Sequence, residues 1–268
     1  MKRKAAVAGY FYPRRPEDLL QTLEQMVLPK VKKEKALSVL SPHAGYEYSG
    51  PVAGAVFSSV VLPSTFVILG PSHRPIRPRF ALMSEGSWET PLGNVPIESG
   101  LARLIGNYSR LTIEDSQAHS EEHSIEVQLP FIQFFKKEFS IVPAVFSYLA
   151  TYEELEELGK ALARGIQEFQ KEVLIVASTD MSHYVSQEEA KEKDFLAIQK
   201  VLNLDAEGLF SIVQEEDISM CGYQPVISAI IASKELGAEK GELIKYATSG
   251  DRTGDFAQVV GYAGIRIH

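Results

Sequence analysis

The stretch TFVILGPSHR, Thr65–Arg74, decides the fold class. Its first half is a continuous β-branched and aromatic run, short and without polar alternation, which reads as a strand buried on both faces. Gly70-Pro71 then breaks the run, and a polar tip ending in His73 follows. The same construction occurs twice more. Leu37–Leu40 of ALSVLSP leads into Ser41-Pro42-His43, and Val173–Ala177 of EVLIVASTDMSHY leads into Ser178-Thr179-Asp180-Met181-Ser182-His183.

Helical patterns fill the intervals. Pro16–Val27 has proline at its start and apolar residues at helical spacing, and Pro51–Val60 reads as a helix of small residues. Ile97–Gly106 and Ser124–Phe139 carry helical periodicity, and Tyr152–Phe169 is preceded by the capping-box pair Thr151 and Glu154. Gln187–Asn203, Ala206–Gln214 and Tyr223–Leu236 are the remaining helices. SIVPAVFS is a further buried strand, and FALMSEGSWETPLGNV, Phe80–Val95, reads as two short strands around a glycine-containing turn, an edge hairpin. Strands alternating with helices imply a largely parallel sheet covered on both faces, a three-layer α/β/α architecture. The closing strands LIKYATSG and FAQVVGYAGIRI have no helix between them, so an antiparallel pair there makes the sheet mixed. With no repeat and no linker, residues 1–268 form one domain.

Composition narrows the function classes. A net charge of −8, with basic residues dispersed apart from Lys30–Lys35, argues against a nucleic-acid or anionic-membrane footprint. No run approaches the roughly 18 apolar residues of a membrane span, and MKRKAAVAGYFYPRR lacks the apolar core of a signal peptide. The expected location is the cytoplasm. A single cysteine, Cys221, excludes an intrachain disulfide and fits a reducing compartment.

In open α/β sheets ligands bind outside the carboxyl ends of the parallel strands, so the three histidine-bearing tips should converge there. AHSEEHSIEVQLPF adds His119 and His123, whose i, i+4 spacing would suit a metal pair on one helical face. The HSEEH segment lies at a predicted helix start, however, which leaves one of the two as a surface or capping group. Cys221 in SMCGYQPVISAI has two readings, a small core hydrophobe or a thiolate favoured by the helix beginning behind it. Two imidazoles with a thiolate or carboxylate and an open position suit Fe(II), Cu or Zn. A hydrolase with Cys221 as nucleophile and His183 or His123 as base is the competing enzymatic reading, but no nucleophile-elbow motif supports it. LGPSH and TSGDRTGDF lack phosphate-loop spacing.

The segments AVAGYFYP, SPHAGYEYSGPVAGAVF, ILGPSHR, SWETPLGNV, EEHSIEVQLPF, ASTDMSHY and MCGYQPV, in that order over nearly the whole chain, resemble the Memo family. Memo proteins share a fold with the class III extradiol dioxygenases, which are non-haem iron enzymes. The resemblance therefore implies a sheet sandwiched by helices. By motif, His43, His73 and Cys221 match the family's metal ligands, Asp180 and His183 match polar residues lining the pocket, and His123 matches a further pocket histidine. It implies Fe(II) or Cu chemistry on an unknown small substrate, with His183 or His123 as acid/base and Asp180 orienting a histidine. A thiolate stands where the extradiol enzymes have a carboxylate, and a softer donor favours copper or a redox-active iron. The resemblance implies two other readings. Vertebrate relatives are associated with phosphotyrosine peptides and cell motility, so the pocket would be a binding module. Microbial relatives are grouped with a radical-SAM protein, which would be a pathway partner.

Overall fold

The computed structural model describes residues Met1–His268. Along the chain come β1 (Lys2–Arg3), α1 (Pro16–Met26), β2 (Ser38–Ser41), α2 (Tyr46–Ser59), β3 (Thr65–Pro71), β4 (Phe80–Leu82), β5 (Ser87–Thr90), β6 (Gly93–Pro96), α3 (Ser99–Tyr108) and β7 (Thr112–Glu114). A 3-10 turn, Glu126–Gln128, runs into α4 (Leu129–Phe135), followed by β8 (Ser140–Phe146), α5 (Tyr152–Phe169), β9 (Val173–Ser178), β10 (His183–Val185), α6 (Gln187–Leu202), α7 (Ala206–Glu215) and α8 (Tyr223–Glu235). The chain closes with β11 (Gly241–Thr248), the short α9 (Gly250–Thr253) and β12 (Val259–Ile267).

The strand order is β11-β12-β2-β9-β3-β8-β4-β7, with β10 pairing the start of β12. The central four strands, β2, β9, β3 and β8, are mutually parallel, because helices carry the chain back between them. β12 joins β2 antiparallel and β11 joins β12 antiparallel, so the closing pair makes the sheet mixed. Successive side chains alternate between two cores. Leu40, Val67, Leu69, Ile175 and Ala177 pack with α3, α5, α6, α7 and α8, whereas Val39, Phe66, Ile68, Leu174 and Val176 pack with α1, α2 and α4. This is the three-layer α/β/α fold. Burying each such aliphatic side chain stabilises by about 1.5–3 kcal/mol, enough to hold the sheet without a covalent cross-link.

Several local expectations needed correction. α2 begins at Tyr46, five residues before Pro51, so the proline lies inside the helix. A proline is easily read as the first helical residue because it needs no N–H there, but here the preceding turn forms without it. The helix expected over Ser124–Phe139 is only Leu129–Phe135 behind a 3-10 turn, and Pro130 sits at its start. Phe80–Val95 is not one hairpin. β4 enters the main sheet between β8 and β7, while β5 and β6 form a hairpin in a separate three-stranded sheet with β1. The Thr151–Glu154 capping box is present, with Thr151 N–H donating to Glu154 Oε2 at 2.9 Å. No helix is long and apolar enough to cross a membrane.

Candidate metal centre

Three consecutive parallel strands, β2, β9 and β3, end side by side, and their exits form the site. β2 stops at Ser41, and Pro42 turns the chain so that His43 is fully inside. β3 stops at Pro71 and presents His73 at the rim. The third histidine, His123, comes from the irregular segment before the 3-10 turn. Ring nitrogens of His43, His73 and His123, one from each, all lie within 4.8 Å of one another, a group that could hold a metal ion. The His73 and His123 rings stack at 4.4 Å and 27°, and His43 meets both edge-on at 5.1 and 5.5 Å.

Close backbone approach makes this convergence feasible. A Cβ on Gly70 would stand 2.3 Å from Ser124 Oγ, so glycine lets the His123 segment lie against the β3 tip. A Cβ on Gly222 would meet Ser178 O at 2.4 Å, so glycine brings the start of α8, with Cys221, onto the β9 tip. Cys221 Sγ lies 3.3 Å from His43 Nε2 and accepts from Asp180 N–H at 3.3 Å.

Hydrogen bonds fix which nitrogen two of the rings offer, those of His43 and His73. The Ser178 hydroxyl donates to Ser124 O at 2.7 Å and accepts from Gln128 Nε2 at 2.8 Å. Its proton is therefore committed, and at 3.0 Å it accepts from His43 Nδ1–H. His43 consequently turns its Nε2 lone pair toward the centre. Glu122, buried in the wall, accepts from His73 Nδ1–H at 3.0 Å and from the N–H groups of His73, His123 and Ser124 at 2.8 Å each.

Charge states follow the surroundings. Burial, then the neighbouring His73 and His123, hold His43 far below the ordinary histidine range. Burial likewise takes His123 down to about 4. For His73 burial is outweighed by the hydrogen bond and charge of Glu122, which raise it. Burial alone would raise Glu122, yet the His73 hydrogen bond and the imidazole charges keep it well below the usual carboxylate range. Asp180, whose Oδ1 accepts from His43 N–H at 2.8 Å, is pushed up to about 6 by burial. The Cys221 thiol is raised by burial and by the Asp180 charge. Burial thus opposes the thiolate that the helix start would favour.

His183 stands on the Asp180 side, its backbone N–H donating to Ser219 Oγ at 2.7 Å. Its Nδ1–H donates to Ser219 O at 2.9 Å, leaving Nε2 free. His119 is elsewhere and is neither a ligand nor a surface group. It is fully buried, bonded through Nε2 to Ala81 O at 3.1 Å and packed edge-on against Trp88. The HSEEH segment is not helical, so the i, i+4 spacing does not place the two rings on one face.

Sequence reasoning passed over Glu122, Ser178, Gln128 and Phe11, whose ring lies 4.6 Å from that of His123. Glu122 and Ser178 stood inside quoted motifs beside a histidine, where a hydrogen-bonding partner for the imidazole was the signal to seek. Nothing local marks Arg3, a buried cation that pairs with Glu126 and donates to His119 O at 2.9 Å and Glu122 O at 2.6 Å. Glu126 also accepts from Ala6 N–H at 2.8 Å, Val7 N–H at 3.1 Å and Tyr12 O–H at 2.5 Å, which pins the amino-terminal segment beneath the His123 segment.

A family profile described as Memo-like protein matches residues 3–266. A MEMO1 family protein of Pyrobaculum arsenaticum is 43% identical, covering 99% of each chain, and one of Methanothermobacter thermautotrophicus is 42% identical, covering 99% of this chain and 100% of its own. Among solved structures, an uncharacterized Escherichia coli K12 protein superposes with a TM-score of 0.58 over 85% of this chain and 99% of its own, at 13% identity, a likeness of fold. Matched from one end to the other at this level, the chain belongs to the Memo family.

Proposed function

We propose that this protein is a metal-dependent redox protein that binds Fe(II) or Cu through His43, His73 and His123, with Cys221 as the adjoining sulfur donor. The observation that carries the reading is the convergence of three imidazoles within 4.8 Å beside a thiol 3.3 Å from His43 Nε2. The donor set fits such an ion. His43 and His73 each commit Nδ1–H to a hydrogen bond, so their Nε2 lone pairs are available, and nitrogen with sulfur suits iron, copper or zinc better than magnesium or calcium. A bound iron or copper supplies one-electron chemistry and a position where a small substrate is polarised. A nearby cation would also favour the Cys221 thiolate that burial alone suppresses.

The remaining residues handle the proton and frame the centre. His183, with Nδ1–H on Ser219 O, presents Nε2 as proton acceptor, and Asp180 holds the His43 backbone in place. Phe11 packs its ring 4.6 Å from that of His123 and covers that imidazole. Anaerobic reconstitution followed by metal analysis tests the assignment. The expected outcome is one iron or copper per chain, lost in His43→Ala and weakened in Cys221→Ser. If His43→Ala and His73→Ala retain the metal as tightly as wild type, the assignment is wrong.

A further inference from the structure

Glu122 is buried, and no lysine or arginine reaches its carboxylate. Arg3 donates to its backbone carbonyl, and Arg74 pairs with the neighbouring exposed Glu121. A buried carboxylate without a cationic partner is costly unless its oxygens are saturated with donors or a positive charge lies close by. Four donors reach Glu122: Oε1 accepts from His73 Nδ1–H and from the N–H groups of His123 and Ser124, and Oε2 accepts from His73 N–H. Each bond fixes something at the centre. The imidazole bond sets the His73 tautomer and sends Nε2 inward. The bonds from His123 and Ser124 N–H fold the segment so that the His123 ring stacks on His73.

Resting on the metal reading above, we propose that Glu122 is the positioning carboxylate of the centre. It locks two of the three imidazoles in ligating geometry and lends its charge to His73, without itself contacting the ion. A carboxylate behind a ligating histidine raises the basicity of the metal-facing nitrogen, and removing such a partner typically costs 10–100-fold in metal affinity. Glutamine cannot substitute. Its amide nitrogen would face an N–H donor where an oxygen accepts now.

The test is an anaerobic Co(II) titration of the full chain as wild type, Glu122→Gln and Glu121→Gln, read by affinity and by the visible Co(II) spectrum. The expected result is an affinity roughly 10–100-fold weaker with an altered spectrum in Glu122→Gln, and no change in Glu121→Gln. A Glu122→Gln protein that melts earlier but binds Co(II) with wild-type affinity and spectrum would reduce Glu122 to a structural residue and overturn the proposal. Should that variant not fold, 15N NMR of the His73 ring in Zn(II)-loaded wild type decides. Protonated Nδ1 with metal on Nε2 is expected, and metal on Nδ1 overturns it. A wild type that takes up neither ion removes the metal reading itself, an outcome separate from a metal-binding wild type matched by Glu122→Gln.

Discussion

The two sides of the centre are built differently. His43, Asp180 and Cys221 form a floor carried by the tips of β2 and β9 and the start of α8, and His43 is oriented there by a neutral hydroxyl, Ser178. His73, Glu122 and His123 form a wall outside the sheet, half of it carried by an irregular segment and oriented by a charge. The floor inherits its rigidity from the strand ladder. The wall must be braced separately, by the buried Arg3–Glu126 pair and the amino-terminal residues that bond to Glu126. Geometry made by a sheet is obtained with the fold, whereas geometry made by a loop depends on a few side chains that can be removed singly.

The largest effect is expected on the floor. His43→Ala removes the one ring that meets both others edge-on, so metal uptake should fall below detection in equilibrium dialysis while circular dichroism remains that of the wild type. Retained uptake would make the wall sufficient alone. Next is the brace of the wall. Arg3→Met leaves Glu126 charged and buried without its cation, a change that typically costs about 3–5 kcal/mol. Urea unfolding should show that loss, and the residual folded protein should bind metal more weakly. An unchanged midpoint would show that the N–H and O–H donors on Glu126 suffice.

The floor and the His73 half of the wall were readable in the local sequence pattern and the His123 half was not, for a physical reason. A strand buried on both faces leaves an uninterrupted β-branched run, and its end is marked by proline or glycine, so His43, His73 and Asp180 could be placed at strand tips from local pattern alone. His123 lies in a segment with neither period, and its placement rests on Glu122 bonding to a histidine 49 positions earlier and on Arg3 reaching Glu126 across 123 positions. Such pairs leave no periodicity. The start of α2 was misplaced because Pro51 looks like a first-turn residue. For Cys221 a helix end is visible in sequence while the opposing desolvation is not.

His119 roots the wall segment on Ala81 O and should add an acid sensitivity of its own to the wall. Burial, then the Arg3 charge, lowers it from 6.5 to about 4. The unfolded chain therefore binds a proton between those values that the native protein refuses. Stability from this group is present above about pH 6.5 and is lost as pH falls toward 4, amounting to roughly 2–3 kcal/mol by pH 4.5. Asp180, raised to about 6 by burial, works in the opposite sense and offsets part of the loss. Urea midpoints at several pH values should show a slope that flattens in His119→Gln. An equal slope in that variant would place the sensitivity elsewhere.

The smallest effect should separate a neutral orienting group from a charged one. Ser178→Ala leaves His43 Nδ1–H short of an acceptor and Ser124 O short of a donor, while Gln128 Nε2 keeps Pro42 O at 3.0 Å. The His43 ring is nonetheless boxed in by β2, β9 and Cys221, and a hydroxyl lends no net charge to the metal-facing nitrogen. Metal affinity should fall by about 10-fold, the low end for loss of a ligand's hydrogen-bond partner. The stability cost should be about 1–3 kcal/mol, set by the groups left unpaired. Comparing Ser178→Ala with Glu122→Gln by Co(II) titration then isolates what charge adds. If the serine variant loses as much affinity as the glutamine variant, orientation alone governs both histidines, and the distinction between a neutral floor and a charged wall carries no weight in binding.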